Sequence, residues 1–241
     1  MSKTAVVLGV GRSAGLGAAL CRRFAREGFH VLPAGRTAES LAEVAAEIES
    51  EGGRATPVVA DATRVDDVVR LFDAAETAGG APGVAVYNAG NNRFKPLLAM
   101  DDAFFEDLWR LCCFGGFLFG REAARRMLPG GGSLLFTGAT ASIRARPPFT
   151  AFASAKAALR ALAHGMAREF GPEGLHVAHV IIDGMIDGDQ LNQRFPDLQQ
   201  QKGVDGMLDI GAIADVFWGL HAQPRSAWTL ELDLRPFKEP F

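Results

Sequence analysis

AVVLGVGRSAGLG, residues 5–17, joins a short apolar run to a glycine-rich loop. The run, Ala5 to Leu8, has the length of a buried strand, and the loop opens onto a helical pattern. The apolar positions of that helix recur every four residues, at Leu16, Leu20 and Phe24. A strand, a glycine loop and a helix in this order predict the first βαβ unit of an α/β fold.

Short apolar runs and amphipathic helical patterns alternate along the rest of the chain. Further strands are predicted at 29–34, 55–60, 84–88, 134–137, 175–182 and 228–234. Helices are predicted near 41–48, 65–72, 101–128, 151–170 and 210–220, whereas 183–206 has the composition of a loop. Apolar runs of this kind are typical of parallel strands buried on both faces. The sequence therefore predicts an α/β fold, a Rossmann-type doubly wound parallel sheet of about seven strands in three α/β/α layers. Residues 1–241 are predicted to form a single domain.

The composition argues against several classes of protein. Hydrophobic residues make up 48% and charged residues 22% of the chain, and the net charge is −3, which indicates a globular protein with no nucleic-acid or membrane partner. No apolar run reaches the ~18 residues of a membrane span, and the first residues have the character of a strand, not of a signal peptide. The three cysteines and five histidines show no zinc or disulfide spacing. We therefore expect a cytoplasmic protein without a metal site.

The glycine loop predicts a dinucleotide site. Gly11, Gly15 and Gly17 have the spacing GxxxGxG, which permits a tight turn and lets a pyrophosphate approach the start of a helix. The second strand ends at Arg36 without the acidic residue that would bind the adenosine ribose of NAD. Arg36, assisted by Arg12, would instead suit the 2′-phosphate of NADP. NADP is therefore favoured over NAD, and a solvent-facing Arg36 is the alternative.

With these elements the whole chain resembles the short-chain dehydrogenase/reductase family. The matching features are the glycine loop, Asp61, the turn Asn88-Ala89-Gly90, and Lys156. The resemblance implies that Asp61 contacts adenine, that the Asn-Ala-Gly turn lies behind the cofactor, and that Lys156 holds the nicotinamide ribose. The turn after the sixth strand would meet the nicotinamide amide. The implied cofactor-binding residues are Gly11, Arg12, Ser13, Gly15, Leu16, Gly17, Arg36, Asp61, Ala62, Asn88, Ala89, Gly90, Lys156, Gly184 and Ile186.

Two departures from the family concern cofactor binding. The family's threonine-glycine start aligns on Val10-Gly11, or on Leu8-Gly9 if strand length decides, and the second choice leaves a two-residue insertion before Gly15. The family's proline before Gly184 is Asp183.

Three further departures concern the chemistry. In the family, a tyrosine four residues before the lysine exchanges the substrate's proton, a serine orients the substrate oxygen, and an asparagine completes the relay. Here Phe152 occupies the tyrosine position, Ala139 the serine position and Cys112 the asparagine position. Lys156 alone remains of the four catalytic groups. The only tyrosine, Tyr87, ends the fourth strand and is not on the Lys156 helix.

Several residues could replace the missing groups, and each also has an ordinary structural interpretation. Thr137, Thr140 or Ser142 could bind a substrate oxygen, or could satisfy loop backbone groups. The Cys112 thiol could act as an acid, or could serve as a small hydrophobe. Asp183 and Asp187 could supply protons, or could be solvated. Arg93 and Lys95 could bind an anionic substrate, or could form a solvated basic turn.

Three functional classes follow. The first is an NADP-dependent oxidoreductase that acts on a small-molecule substrate through an atypical or impaired proton-transfer site. The second is a non-redox enzyme, such as an isomerase, cyclase or lyase, and the third is a cofactor-binding pseudoenzyme. The small residues of the 151–170 helix, together with the resemblance, imply a homodimer or homotetramer.

Overall fold

The computed structural model describes residues 4–239 and contains two sheets within that range. The strands are β1 (Thr4–Leu8), β2 (His30–Gly35), β3 (Arg54–Ala55), β4 (Val58–Val59), β5 (Val84–Tyr87), β6 (Gly132–Thr137), β7 (Leu175–Ile182), β8 (Ile186–Asp187), β9 (Leu208–Asp209) and β10 (Glu231–Leu234). The α-helices are α1 (Leu16–Arg26), α2 (Ala38–Ser50), α3 (Val65–Gly79), α4 (Asp102–Trp109), α5 (Gly115–Met127), α6 (Thr150–Phe170), α7 (Asp189–Arg194), α8 (Leu198–Lys202) and α9 (Ile210–His221).

The main sheet has eight strands that pair in parallel. Its order is β10-β7-β6-β5-β1-β2-β3, and β4 also pairs with β2. One apolar core joins the sheet to α1, α2 and α9, and a second core joins its other face to α3, α5 and α6. Because both faces are covered, the central strands are mostly apolar. The predicted doubly wound α/β fold is confirmed.

The chain order of the strands reverses beside β1. The chain runs from β1 to β2 on one side, then returns to place β5 on the other side of β1. In open α/β sheets, ligands bind in the crevice at the carboxyl ends of the strands where the order reverses in this way. The fold therefore directs attention to the loops that follow β1 and β5.

Four segments differ from the sequence predictions. The third strand is split into β3 and β4 around Pro57, which has no backbone N–H to donate to a ladder. The predicted loop 183–206 contains β8, α7 and α8, which are too short to show a periodicity. The last strand begins at Glu231, after a 3₁₀ turn at Arg225–Ala227. The predicted helix over 101–128 is two helices joined by a π-helical turn, Arg110–Phe114.

Among residues 4–239, no helix is both long and apolar enough to cross a membrane.

Candidate cofactor and active site

The loop after β1 meets the loop after β5 through Gly9. Gly9 has a φ of +107°, and a Cβ atom on it would lie 2.3 Å from the backbone nitrogen of Ala89. The Asn88 side chain donates from Nδ2 to the Gly9 carbonyl over 2.9 Å, and a Cβ on Gly17 would lie 2.6 Å from the same carbonyl oxygen. The two close approaches require glycine at positions 9 and 17. The Asn88 hydrogen bond joins the two loops.

Gly11 does not have this role. It is exposed, and a Cβ atom on it would meet nothing within 4 Å. β1 ends at Leu8, so the glycine that packs against the Asn88-Ala89-Gly90 turn is Gly9. The structure thus favours the alignment on Leu8-Gly9, and the two extra residues enlarge the loop before Gly15.

The start of α1 fits an anionic ligand. Gly15 precedes the helix in an extended conformation, and no side chain caps the first backbone N–H groups. The first turn carries no acidic residue, and Leu16 packs into the core. A helix N-terminus with free N–H groups and a positive dipole end suits a pyrophosphate.

The side chains of Arg12 and Ser13 bond to protein groups instead. The Arg12 guanidinium donates to the side-chain oxygen of Gln193 in α7. The Ser13 hydroxyl donates to Glu47, and Arg22 donates to the Ser13 carbonyl oxygen over 3.0 Å. Any contact of Ser13 with a cofactor would therefore come from its backbone N–H or require its hydroxyl to change partner.

A polar cavity of about 290 Å³ lies at the same edge of the sheet. Arg36 and Asp61 both line it, as does Thr63, whose backbone N–H and hydroxyl each donate to Asp61 over 2.8 Å. Ala62 is buried beneath this wall. The cavity therefore brings together the two residues that the sequence predicts for the adenosine end of a cofactor. The remaining lining residues are Asn91, Arg93, Asp107, Leu108, Arg110 and Leu111.

Lys156 lies at the other end of the crevice, on α6. The side chain is almost fully buried, and its ammonium donates to the Thr137 carbonyl oxygen over 2.8 Å. Burial lowers the pKa of Lys156, and the neighbouring Cys112 acts in the opposite direction. A Cβ on Gly90 would lie 3.3 Å from the Lys156 nitrogen and 3.8 Å from the Cys112 sulfur. The lysine, the thiol and the turn after β5 therefore surround one point.

Phe152 lies beside Lys156, and Ala139 lies in the loop after β6. The Lys156 nitrogen lies 5.9 Å from the centre of the Phe152 ring, one helical turn away. Ala139 ends the loop after β6, where its backbone N–H donates to the Ser142 hydroxyl over 3.1 Å. Neither the phenyl ring nor the methyl group can donate a proton.

Comparison with known proteins identifies the family. Residues 3–199 match the short chain dehydrogenase family. The chain belongs to the short chain dehydrogenases. Over 191 residues it is 36% identical to YuxG, an uncharacterized oxidoreductase of Bacillus subtilis (strain 168); the match covers 76% of this chain and only 27% of that protein.

Two solved structures extend the likeness over the whole fold. A short-chain dehydrogenase from Rhodopseudomonas palustris is 39% identical, with a TM-score of 0.82, and the match covers 97% of this chain and 98% of the other. A gluconate 5-dehydrogenase from Burkholderia cenocepacia J2315, in complex with NADP and tartrate, is 25% identical, with a TM-score of 0.84 and coverage of 97% and 93%.

Asp183, just before Gly184, is buried and paired with two arginines. Its buried carboxylate accepts two bonds from Nη2 of Arg144, over 2.7 and 2.9 Å, and lies 2.9 Å from Nη2 of Arg235. Burial alone would raise the pKa of Asp183, but hydrogen bonds from Thr140 and Arg144 and the charge of Arg235 outweigh it and leave the pKa below its ordinary value. The solvated interpretation of Asp183 is therefore wrong, and its role as a proton source stays a prediction.

The ion pairs of Asp183 join three segments of this short chain dehydrogenase. Arg144 belongs to the loop that follows Ala139, and Arg235 follows β10. Gly184 packs closely on the C-terminal segment, because a Cβ on it would lie 2.6 Å from Pro236 Cδ. The loop bearing Arg144 and the C-terminal segment thus fix the Asp183-Gly184 turn, which precedes Ile186 in β8. Neither arginine was predicted, because ion pairs between distant segments leave no local pattern.

Two further candidate groups, Asp187 and Lys95, have structural partners. Asp187 accepts from Asn192 over 2.7 Å and from Gln199 over 2.8 Å, so it anchors α7 and α8. Lys95 forms an ion pair with Asp101 at 2.5 Å. Lys95 therefore has a protein partner where the sequence suggested an anionic substrate. In the range 4–239, no cluster of three or more His, Cys, Asp or Glu could hold a metal ion.

Proposed function

We propose that this short chain dehydrogenase binds NADP, as one domain over 1–241, and is an oxidoreductase whose proton transfer does not use a phenol. The observation that carries the proposal is the contrast between the two halves of the crevice. Gly9, Gly17, the uncapped start of α1 and Lys156 are arranged as a cofactor site requires. The neighbouring Phe152 and Ala139 side chains cannot exchange a proton.

The proposed preference for NADP rests on the residues at the end of the crevice that would hold the cofactor's adenosine. Arg36 lines the 290 Å³ cavity together with Asp61, and no acidic residue stands at the end of β2 to bind a free ribose hydroxyl. A guanidinium fits a phosphate through two parallel hydrogen bonds. The Burkholderia relative was solved with NADP, which supports the same choice for this chain.

A titration of NADPH and NADH, followed by cofactor fluorescence, tests this preference. We expect NADPH to bind more tightly than NADH. We expect Arg36→Ala to lower the affinity for NADPH about tenfold, because one charge-assisted contact is lost, and to leave the affinity for NADH unchanged. Arg26→Ala removes an exposed arginine from α1, away from the cavity, and is the matched control. Equal affinities in the wild type would contradict the role of Arg36, and no binding of either cofactor would contradict the proposed function itself.

The chemistry at the nicotinamide end depends on this chain's own groups. NADPH, when bound, supplies a hydride. Lys156 would hold the ribose and add positive charge beside the reacting oxygen, while Phe152 contributes only an apolar wall. General acid–base catalysis typically raises the reaction rate by ~10²–10⁴-fold. The Cys112 thiol carries a transferable proton and lies beside Lys156, and we propose it as the substitute donor.

A non-redox reaction is the second candidate, because the site has lost polarity where the family's chemistry needs it. Phe152 and Ala139 would suit an apolar substrate that needs no proton at its oxygen. Product analysis separates the two classes: cofactor oxidation in step with product formation supports the oxidoreductase, and product formation at constant NADPH supports the second class. Binding of NADPH without any product would indicate a cofactor-binding pseudoenzyme.

We also propose a homodimer or homotetramer built on α4 and α6. Phe105 and Trp109 on α4 are 40% and 38% exposed, and α4 packs beside α6. Large apolar side chains left exposed on one helix are typical of a surface that another subunit covers.

A further inference from the structure

Tyr87, the only tyrosine of the chain, ends β5 and is fully buried. Its hydroxyl donates to the backbone carbonyl of Leu111, in the π-helical turn Arg110–Phe114. In this turn the Gly115 N–H bonds to the Arg110 carbonyl, five residues back. A π turn disturbs the ordinary i→i+4 ladder, and a side chain inserted at that point can stabilise it. The tyrosine hydroxyl is such an inserted group.

Gly115 makes room for this hydroxyl. A Cβ on Gly115 would lie 2.3 Å from the Tyr87 oxygen and 2.8 Å from the Ala62 carbonyl oxygen. Any larger residue at 115 would displace the tyrosine hydroxyl or the turn. Burial raises the pKa of Tyr87 well above its ordinary value, so the hydroxyl stays protonated and remains a donor.

The same turn carries Cys112 to the site. Cys112 has no exposed surface, and a Cβ on Gly90 would lie within 4 Å of both its sulfur and the Lys156 nitrogen. Cys112 lies within this turn, where the extra residue moves side chains from the directions that an α-helix would give them. The orientation of Cys112 toward Lys156 therefore depends on the π turn being kept.

We propose that Tyr87 is a positioning residue, whose hydroxyl holds the π turn in the form that places Cys112 beside Lys156. The inference rests on the proposed function for its consequence, since Cys112 matters there as the substitute proton donor. The Tyr87 ring contributes separately to the core, where it contacts Phe119 and Phe136 with ring centres 5.6 and 6.3 Å apart. Tyr87→Phe removes the hydroxyl and keeps these ring contacts.

The test is the alkylation of each cysteine by iodoacetamide in the full chain, resolved by mass spectrometry of its peptides. We expect Tyr87→Phe to label Cys112 about fivefold faster than the wild type, because one hydrogen bond that restrains the turn is lost. Cys21 lies buried in α1, away from the turn, and is the internal control. Gly115→Ala keeps the phenol but pushes it from its place, and we expect the same selective increase at Cys112.

Unchanged labelling of Cys112 in both variants would overturn the proposal. An equal rise at Cys21 and Cys112 would also overturn it, because it would show general loosening in place of control of one turn. The labelling needs no cofactor. The proposed function is tested by a different measurement, and it fails if the wild type does not bind NADPH.

Discussion

Replacing Asp183 by asparagine tests whether the buried ion pairs hold the crevice together. The substitution keeps the shape of the side chain and removes the charge that faces Arg144 and Arg235. Removal of one partner from a buried ion pair costs about 3–5 kcal/mol. The arginine side chains are 28% and 14% exposed, whereas the Asp183 side chain is 4% exposed. Because water can partly solvate the arginines, we expect a loss at the lower limit, about 3 kcal/mol at pH 7.

The measurement is chemical and thermal unfolding of both proteins. For a chain of this length, about 3 kcal/mol corresponds to a fall of roughly 6–12 °C in Tm. Asp215→Asn is the matched control, because Asp215 also pairs with an arginine but is 67% exposed, and exposed pairs contribute about 0–1 kcal/mol.

The pH dependence of the free energy of unfolding gives a second check on the contribution of Asp183. The pKa of Asp183 is lowered in the folded protein, so its contribution is present above the carboxyl's unfolded pKa and is lost as the pH falls through the folded pKa. The difference between wild type and Asp183→Asn should therefore be largest near neutral pH and shrink in acid. A difference at pH 7 no larger than that of Asp215→Asn would refute the reasoning.

Four further outcomes are expected. Gly9→Ala should prevent folding or NADPH binding, since its Cβ would lie 2.3 Å from a backbone nitrogen, whereas Gly11→Ala should be tolerated in both assays. Burial lowers the pKa of His179 to about 4, so roughly 3 kcal/mol of stability should disappear as the pH falls from 6.5 to 4; urea unfolding that is flat over this range would contradict it. In NADPH-oxidation assays, wild type should show little reduction of simple ketones, and Phe152→Tyr with Ala139→Ser should raise the rate by more than either change alone; robust turnover by the wild type would contradict this and would show that another group already supplies the proton. Sedimentation at micromolar concentration should show a dimer or tetramer, and a single species of about 26 kDa, near the chain mass of 25.7 kDa, would exclude it.

The fold was predictable from the sequence because its strands and helices have strong periodic patterns. The buried strands read as continuous apolar runs, and the glycine loop marks the first βαβ unit. The elements that were predicted wrongly are short ones, such as β8, α7 and α8, for which the surrounding tertiary structure decides the conformation. The π turn was missed for a related reason, since its cause is Tyr87, 24 residues away from Leu111 in the chain.

The two parts of the candidate site differ in how well the sequence predicts them. Its cofactor side consists largely of backbone groups, and a backbone that must approach another backbone requires glycine, as Gly9 and Gly17 show by the contacts that a Cβ would make. The spacing of the glycines in the sequence therefore predicts this part of the site. The proton-transfer side consists of side chains, whose identity can change while the backbone stays in place, so Phe152 keeps its position one turn from Lys156 without keeping a tyrosine's chemistry. One crevice can therefore keep its backbone geometry while the side chains beside Lys156 change.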